Sequence, residues 1–153
     1  MPAVLVVAYG NPLRSDDGVA WHAADALRKR FPQNEIELEC LHQLAPELAE
    51  TVSRFACVIF VDAAEAGNPG EVRVEELDGK ESSSSGAFSH AVSPRAVLRL
   101  AKSLYGASPH GYSVTITGQK FDHGESLSPV VAAALPEVVV QIEQLVRDAV
   151  KAR

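Results

Sequence analysis

Three acidic residues and one histidine have the types and positions needed for hydrolysis or for holding a divalent metal. Asp16 and Asp17 follow an apolar run that ends at Gly10, Asp62 closes a second apolar run, and His90 follows a serine-rich stretch. Two carboxylates and one imidazole form a ligand set that suits a divalent transition metal. The same groups could equally hold a water molecule and shuttle its protons.

Each of these residues also has a purely structural explanation. Asp16 and Asp17 could simply complement the positive end of a helix that follows them. Asp62 could be a turn residue at the end of a strand. His90 competes with the other histidines of the chain, of which His42 is the strongest rival because it follows a predicted strand and could face the same crevice. Default roles in packing or solvation are expected for His22, His110 and His123.

The elements that must position these groups alternate along the chain. Val4–Tyr9 and Cys57–Val61 are uninterrupted apolar runs, as in strands buried on both faces of a sheet. Further strands are expected over 35–41, 71–77 and 112–117, and helices are expected to begin near Val19, Pro46, Pro94 and Pro129. This order predicts a three-layer α/β/α sandwich: a mostly parallel twisted sheet of about five strands, helices on both faces and one antiparallel edge strand.

In such a sheet, ligands bind outside the carboxyl ends of the strands, where the strand order reverses. The first and third strands flank that point in the common five-stranded order, so Asp17 and Asp62 are expected to meet at one crevice. His90 begins the element after the serine-rich loop, which could fold over the same edge. Ser15 is expected to cap the first helix, with Asp16 and Asp17 in its first turn.

The bulk properties describe an acidic globular protein. The length of 153 residues predicts a single domain spanning 1–153, and the net charge of −6 argues against nucleic acid or an anionic membrane as a partner. Cys40 and Cys57 form no C-x-x-C pair and are interpreted as buried thiols in a reducing compartment. No export signal is visible, and no strong apolar face is apparent, so we expect a cytoplasmic monomer.

Two enzyme classes are disfavoured by missing motifs. The chain has no G-x-G-x-x-G and no G-x-x-x-x-G-K-S/T sequence, and two acids at a helix start would repel a phosphate. It also lacks the G-x-S-x-G elbow of many serine hydrolases. Neither a nucleotide-binding protein nor a serine hydrolase of that type is expected.

Four segments resemble the nickel–iron hydrogenase maturation proteases and together cover nearly the whole chain. Val4–Val19 reads V-L-V-V-A-Y-G-N-P-L-R-S-D-D-G-V and is similar to the family signature, a strand followed by G-N-x-L-x-x-D-(D/E)-G and a helix. Val58–Ala63 resembles the second acidic element of the family, and Ser89–His90 resembles its histidine element. Gly118–Pro129 resembles the segment that precedes the last helix.

The resemblance implies an endopeptidase, of aspartic or metal-dependent type, that removes the C-terminal extension of a nickel-loaded hydrogenase large-subunit precursor. It implies that Asp17, Asp62 and His90 form the catalytic, metal-contacting triad, that the nickel is supplied by the precursor, and that no organic cofactor is used. Two features depart from the common pattern: the segment 41–48 reads L-H-Q-L-A-P-E-L, and Asp17 stands where glutamate is common. The roles of Asp16 and His42 are left open.

Two other functions fit the same residues. A hydrolase that keeps its own zinc or nickel would differ from the first by its metal content after purification. A non-catalytic, nickel-dependent assembly factor or chaperone on the same scaffold would bind precursor or metal but cleave nothing.

Overall fold

The computed structural model describes residues 3–32, 34–77 and 92–151. Their backbone forms one sheet of five strands in the order β2-β1-β3-β5-β4. The strands are β1 (Val4–Tyr9), β2 (Ile36–Leu41), β3 (Cys57–Ala64), β4 (Val72–Leu77) and β5 (His110–Thr117). Only β4 runs antiparallel to its neighbour within this sheet. The predicted fold class, with its antiparallel edge strand, is confirmed.

Four α-helices of the described residues cover the two faces of the sheet. They are α1 (Val19–Arg30), α2 (Leu48–Val52), α3 (Pro94–Tyr105) and α4 (Pro129–Lys151). The apolar stripes of α1 and α4 pack on one face of the sheet, in what we term the α1/α4 cluster. Those of α2 and α3 pack on the other face, in the α2/α3 cluster. Alternate residues of β1 and β3 point into each cluster, which explains why both strands are apolar throughout.

The parallel pairing of β1 with β3 is the feature that builds the candidate site. Ala8 of β1 pairs with Val61 of β3, so the residues that follow, Tyr9 and Asp62, emerge side by side at the carboxyl ends. On the other side of β1, Tyr9 pairs with Leu41 of β2. The strand order therefore reverses between β1 and β3, as the sequence predicted.

Two local expectations are wrong. Ser15 does not cap α1: residues Ser15–Gly18 form a separate short 3₁₀ helix, and Gly18 precedes α1 without a side-chain cap. The positive φ of 51° at Ser15 turns the chain there, and its hydroxyl donates to the Asp122 carbonyl at 2.9 Å. The second helix is also shorter than the predicted range from Pro46 to about Arg54, because its two ends are turns closed by i→i+3 hydrogen bonds.

Helix α4 is long and apolar enough to cross a bilayer by length and composition alone, which is weak support for a membrane span. Its Val131, Val138 and Ile142 side chains are buried against the sheet. A core position therefore accounts for this apolar stripe.

The loop after β1 is shaped by close backbone approaches that only glycine permits. Gly10 has a φ of 139°, and a Cβ added there would lie 2.1 Å from the carbonyl oxygen of Asp17. A Cβ added at Gly18 would lie 2.7 Å from the Cα of Pro12. The loop therefore folds back tightly on itself and brings Asp17 over the end of β1.

We predict that Gly10→Ala lowers the free energy of unfolding by about 3 kcal/mol or more, because the added methyl group meets backbone rather than a movable side chain. Gly106→Ala is the matched control: it also has a positive φ, of 68°, but open space around it, so a loss of only about 1 kcal/mol is expected. Urea unfolding of both variants measures the difference, and equal losses would contradict the proposed loop geometry.

Candidate functional site

The site lies at the carboxyl ends of β1 and β3, where the loop 10–18 approaches Asp62. Asp17 is held in this loop by its own backbone contacts: the Asn11 amide donates to Asp17 Oδ2 at 2.8 Å, and the Asp17 amide donates to the Arg14 carbonyl at 3.1 Å. The Asn11 side chain closes the turn by accepting from the Leu13 amide at 2.9 Å. Asp17 is half-buried at the rim of the crevice.

Asp62 ends the buried part of β3 and carries an unusual carboxyl group. The Ala63 amide donates to Asp62 Oδ1 at 2.8 Å. Burial raises the pKa of Asp62 from its ordinary 3.8 to about 7, and the charges of Asp17 and Glu65 add to the rise, against the opposing effects of the Ala63 amide and the nearby Tyr9 hydroxyl. Because the charge of Asp17 reaches the Asp62 carboxyl group, the two side chains lie near each other at this end of the sheet.

Asp16 points away from this crevice and has a structural role. Its side chain is fully buried and accepts four hydrogen bonds, from the amides of Gln119, Lys120 and Ser128 and from the Ser128 hydroxyl, at 2.7–2.9 Å. Burial alone would raise the pKa of Asp16, but these hydrogen bonds outweigh it and hold the pKa below its usual range. Ser128 immediately precedes α4, so Asp16 complements the start of α4 and not that of α1.

Backbone contacts join the same two loops along their length. Arg14 and Gly124 form an isolated parallel bridge, with the Ser15 amide donating to the Gly124 carbonyl at 2.7 Å and the Gly124 amide donating to the Leu13 carbonyl at 2.8 Å. The Asp16 amide donates to the Lys120 carbonyl at 2.9 Å. The segment 118–128 therefore supports the loop that carries Asp17.

Of the predicted triad, Asp17 and Asp62 come together, whereas His90 lies outside the described residues. Val92, two residues further along, is described and packs against the α2/α3 cluster, as Tyr9 also does. Within the ranges 3–32, 34–77 and 92–151, no group of three or more His, Cys, Asp or Glu residues could hold a metal ion.

His42, the rival histidine, lies near the loop but is not grouped with the two acids. Its exposed ring meets the Trp21 ring edge-on, with centroids 5.6 Å apart, and the Trp21 indole donates to the Gly10 carbonyl at 3.0 Å. His42 thus borders the Gly10 turn and could contact a bound partner. His110, in contrast, begins β5 and pairs with Cys57, the first residue of β3. It therefore lies at the amino ends of the parallel strands, opposite to the site.

Tyr9 is the last residue of the predicted first strand, and the sequence pattern did not indicate that its side chain affects Asp62. The available signal was a hydroxyl group at the end of an otherwise aliphatic run, beside the predicted position of Asp62. Recognising it required the β1–β3 register.

Chemically, the arrangement offers one carboxyl group that changes protonation near neutral pH beside a second carboxylate. A carboxyl with a pKa of about 7 can accept a proton from water and return it to a leaving group. Two adjacent carboxylates can also contact a cation presented by a partner. Both are properties of hydrolytic sites.

The fold is shared with three solved structures. The chain aligns with the hydrogenase maturating endopeptidase HybD from E. coli at a TM-score of 0.76 and 21% identity, covering 97% of this chain and 94% of that chain. The hydrogenase maturation protease HycI from Thermococcus kodakarensis KOD1 gives 0.74 and 19%, covering 94% and 92%. A hydrogenase 2 maturation peptidase from Thaumarchaeota archaeon SCGC_AB-539-E09 gives 0.70 and 24%, covering 93% and 96%.

No protein-family model and no curated protein matches this chain. Because the identities to the solved structures are below 25%, the likeness establishes the fold alone. The fold implied by the sequence resemblance is confirmed over nearly the whole chain.

We predict that Asp16→Ala lowers the free energy of unfolding by at least about 3 kcal/mol, since several buried donors lose their acceptor. Asp17→Ala, its neighbour and control, should cost about 1 kcal/mol or less, because it loses a single partly buried hydrogen bond. The pKa of Asp16 is lowered on folding, so its stabilising contribution is present above its ordinary pKa of 3.8 and is lost as the pH falls further. Unfolding curves in which both variants lose equal stability would contradict the structural role.

For Asp62 the linkage has the opposite sign. Its pKa is raised on folding, so protonation stabilises the fold below about pH 4, and this contribution is lost as the pH rises toward 7. Asp62→Asn should therefore gain stability relative to the parent between pH 4 and 8, by about 1.4 kcal/mol or more, the equivalent of one pKa unit. Chemical denaturation across that range, with the exposed Asp25→Asn as control, checks this. A pH-independent difference between parent and Asp62→Asn would show that Asp62 has an ordinary pKa.

Proposed function

We propose that this chain is a hydrolase, an endopeptidase that removes the C-terminal extension of a nickel–iron hydrogenase large-subunit precursor. The single observation that carries the proposal is the pairing of Asp17 and Asp62 at the ends of β1 and β3, in a fold shared with named hydrogenase maturation endopeptidases. The glycine-shaped loop between Gly10 and Gly18, which holds Asp17, supports it further.

The reaction we infer is attack of water on the scissile amide with carboxylate assistance. Asp62, with its pKa of about 7, would accept a proton from the attacking water near neutral pH. The same proton could then pass to the departing amine, which needs one to leave. Asp17 lies half-buried at the rim of the same crevice.

The nickel in this proposal belongs to the substrate. Asp17 accepts a hydrogen bond on Oδ2, and among the described residues its Oδ1 has no such partner, so an oxygen remains open to a metal. With His90, the two carboxylates would complete the coordination of a nickel ion that the precursor thiolates already hold. A site of this kind would bind precursor weakly before metal insertion, and cleavage would therefore wait for loading.

The same proposal includes where and with what the protein works. We infer a cytoplasmic monomer whose partner is the precursor, without an organic cofactor and without binding to nucleic acid or membrane. The net charge of −6 supports the proposal that the protein binds neither nucleic acid nor membrane, since anionic polymers and surfaces would be repelled.

A processing assay tests the proposed function. Purified protein is mixed with a nickel-loaded large-subunit precursor, and a nickel-free precursor serves as the control. Mass spectrometry of the product should show a defined C-terminal loss only in the loaded sample.

Other outcomes of the assay have distinct meanings. Cleavage of both precursors would remove the metal dependence from the proposal. Binding without cleavage, with a precursor confirmed as competent, would replace the peptidase by a nickel-dependent assembly factor. Stoichiometric zinc or nickel in the purified protein would instead favour a hydrolase with its own metal.

Asp62→Asn is predicted to lower the processing rate by at least about 100-fold, because it removes the group that carries the proton. The fold should remain intact, because Asp62 follows the buried part of β3 and lies outside both apolar clusters. Asp25→Asn, an exposed change on α1, should process at the parent rate. Normal processing by Asp62→Asn would show that the assigned site is wrong.

His90→Ala is predicted to lose far more processing activity than His42→Ala. His90 is the proposed nickel contact, whereas the His42 ring packs on Trp21 beside the Gly10 turn. Initial rates with the nickel-loaded precursor compare the two variants. Equal losses would bring His42 into direct contact with the reacting groups.

A further inference from the structure

Arg14 is an exposed arginine in the loop after β1, and its side chain is held in place by a neutral group. Its Nε donates to the Phe121 carbonyl at 3.2 Å, and among the described residues neither Nη atom has a hydrogen-bond partner. Within the ranges 3–32, 34–77 and 92–151, no carboxylate forms an ion pair with Arg14. The guanidinium group is therefore oriented but keeps most of its donors.

The other arginines show that a carboxylate partner is the usual arrangement in this protein. Six of the described arginines form ion pairs: Arg28 with Asp25, Arg30 and Arg147 with Glu143, Arg54 with Glu50, Arg73 with Glu71, and Arg95 with Glu75. The chain has 20 acidic residues against 14 lysines and arginines, so carboxylates are plentiful. The local arrangement of the loop, and not a shortage of acids, leaves Arg14 without one.

The acidic residues of the two loops around Arg14 are engaged elsewhere. Asp16 is buried and accepts four hydrogen bonds from the segment 118–128. Asp17 accepts a backbone amide on Oδ2. Asp122, the residue after Phe121, lies 3.9 Å from the Lys120 ammonium group. The donors of Arg14 thus remain open to an anion from outside the protein.

Backbone contacts fix Arg14 relative to the candidate site. The Arg14 amide donates to the Asn11 carbonyl at 3.1 Å, the Asp17 amide donates to the Arg14 carbonyl at 3.1 Å, and Arg14 pairs with Gly124 in the isolated bridge. The guanidinium group is therefore presented from the loop that also carries Asp17. A planar guanidinium group with both Nη atoms open binds a carboxylate through two parallel hydrogen bonds.

We propose that Arg14 is a specificity-determining residue: its guanidinium group binds a carboxylate of the precursor and so places the chain to be cut beside Asp17 and Asp62. This inference rests on the proposed peptidase function, which makes a polypeptide the partner. A polypeptide offers a carboxylate on an aspartate or glutamate side chain or at its C-terminus. Arg14 takes no part in the proton transfer.

Arg14→Gln removes the charge and the paired donors but keeps a polar side chain. With the nickel-loaded precursor, KM should rise by about 10-fold or more, the usual cost of losing hydrogen bonds between charged groups, while kcat stays within about twofold. Arg14→Lys should recover only part of the loss, because an ammonium group cannot donate in the same planar geometry.

Arg54→Gln is the matched control for these kinetics. Arg54 is exposed, ion-paired with Glu50, and precedes β3, so it lies at the amino end of that strand, opposite to the site. Its variant should process the precursor with the parent KM. An unchanged KM for Arg14→Gln, or an equal rise for Arg54→Gln, would overturn the proposed role.

Changes in the precursor identify the carboxylate that Arg14 binds. Each acidic residue near the cut and in the C-terminal extension is changed to its amide, and one precursor carries an amidated C-terminus. The change that removes the partner should raise KM by about 10-fold or more with the parent protein and cause no further rise with Arg14→Gln. A loss on amidation assigns the terminal carboxylate, and a loss from one side-chain change assigns that residue. Full additivity at every position would overturn the contact.

A binding measurement separates failure of this proposal from failure of the proposed function. Calorimetry gives the Kd of the nickel-loaded precursor for the parent, Arg14→Gln and Arg54→Gln. Weaker binding by Arg14→Gln alone, in a protein that cleaves no precursor, would contradict the peptidase and leave recognition by Arg14 standing. Normal cleavage by the parent together with an equal Kd for all three proteins would overturn the role of Arg14 and leave the peptidase standing.

Discussion

The buried carboxylate of Asp16 is the interaction on which the rest of the site depends. An ionised carboxylate cannot remain inside a protein without hydrogen-bond donors. Asp16 accepts four hydrogen bonds, all from the segment 118–128, which lies far along the chain. That requirement draws the segment 118–128 onto the loop after β1 and fixes where α4 begins. The isolated bridge between Arg14 and Gly124 follows from the same approach. Asp17, the next residue, is thereby presented to the crevice by a loop that cannot move freely.

Asp16, Asp17 and Asp62 lie at the same end of the sheet, and their roles differ because their burial and their hydrogen-bond donors differ. The hydrogen bonds to Asp16 lower its pKa by more than burial raises it, so the pKa of Asp16 lies below the ordinary range. Asp62 is affected mainly by burial and like charge, with the Ala63 amide as a hydrogen-bond donor, and its pKa rises to about 7. Asp17 is half-buried and accepts a hydrogen bond from the Asn11 amide on one oxygen. Separate environments therefore give chemically identical side chains separate roles: one stabilises the loop and the other two face the crevice.

The fold could be predicted well from the sequence because its strongest signals are local. Val4–Tyr9 and Cys57–Val61 are short apolar runs typical of strands buried on both faces, and their alternation with helices favours a parallel sheet. The two expectations that proved wrong were also drawn from local patterns. Ser15 is a residue type that often caps helices, but tertiary contacts with Asp122 and Gly124 decide its conformation. The short helix α2 ends early because turns with i→i+3 hydrogen bonds satisfy its flanking backbone.

The sequence predicted the convergence of Asp17 and Asp62, because each follows an apolar strand and the common five-stranded order places the ends of those two strands at one crevice. The division of roles between Asp16 and Asp17 was decided only by the tertiary structure. The two residues share the same local sequence, and the donors that distinguish them lie 103, 104 and 112 residues further along the chain. A local pattern cannot encode the direction of a side chain when the groups that fix it arrive from distant segments.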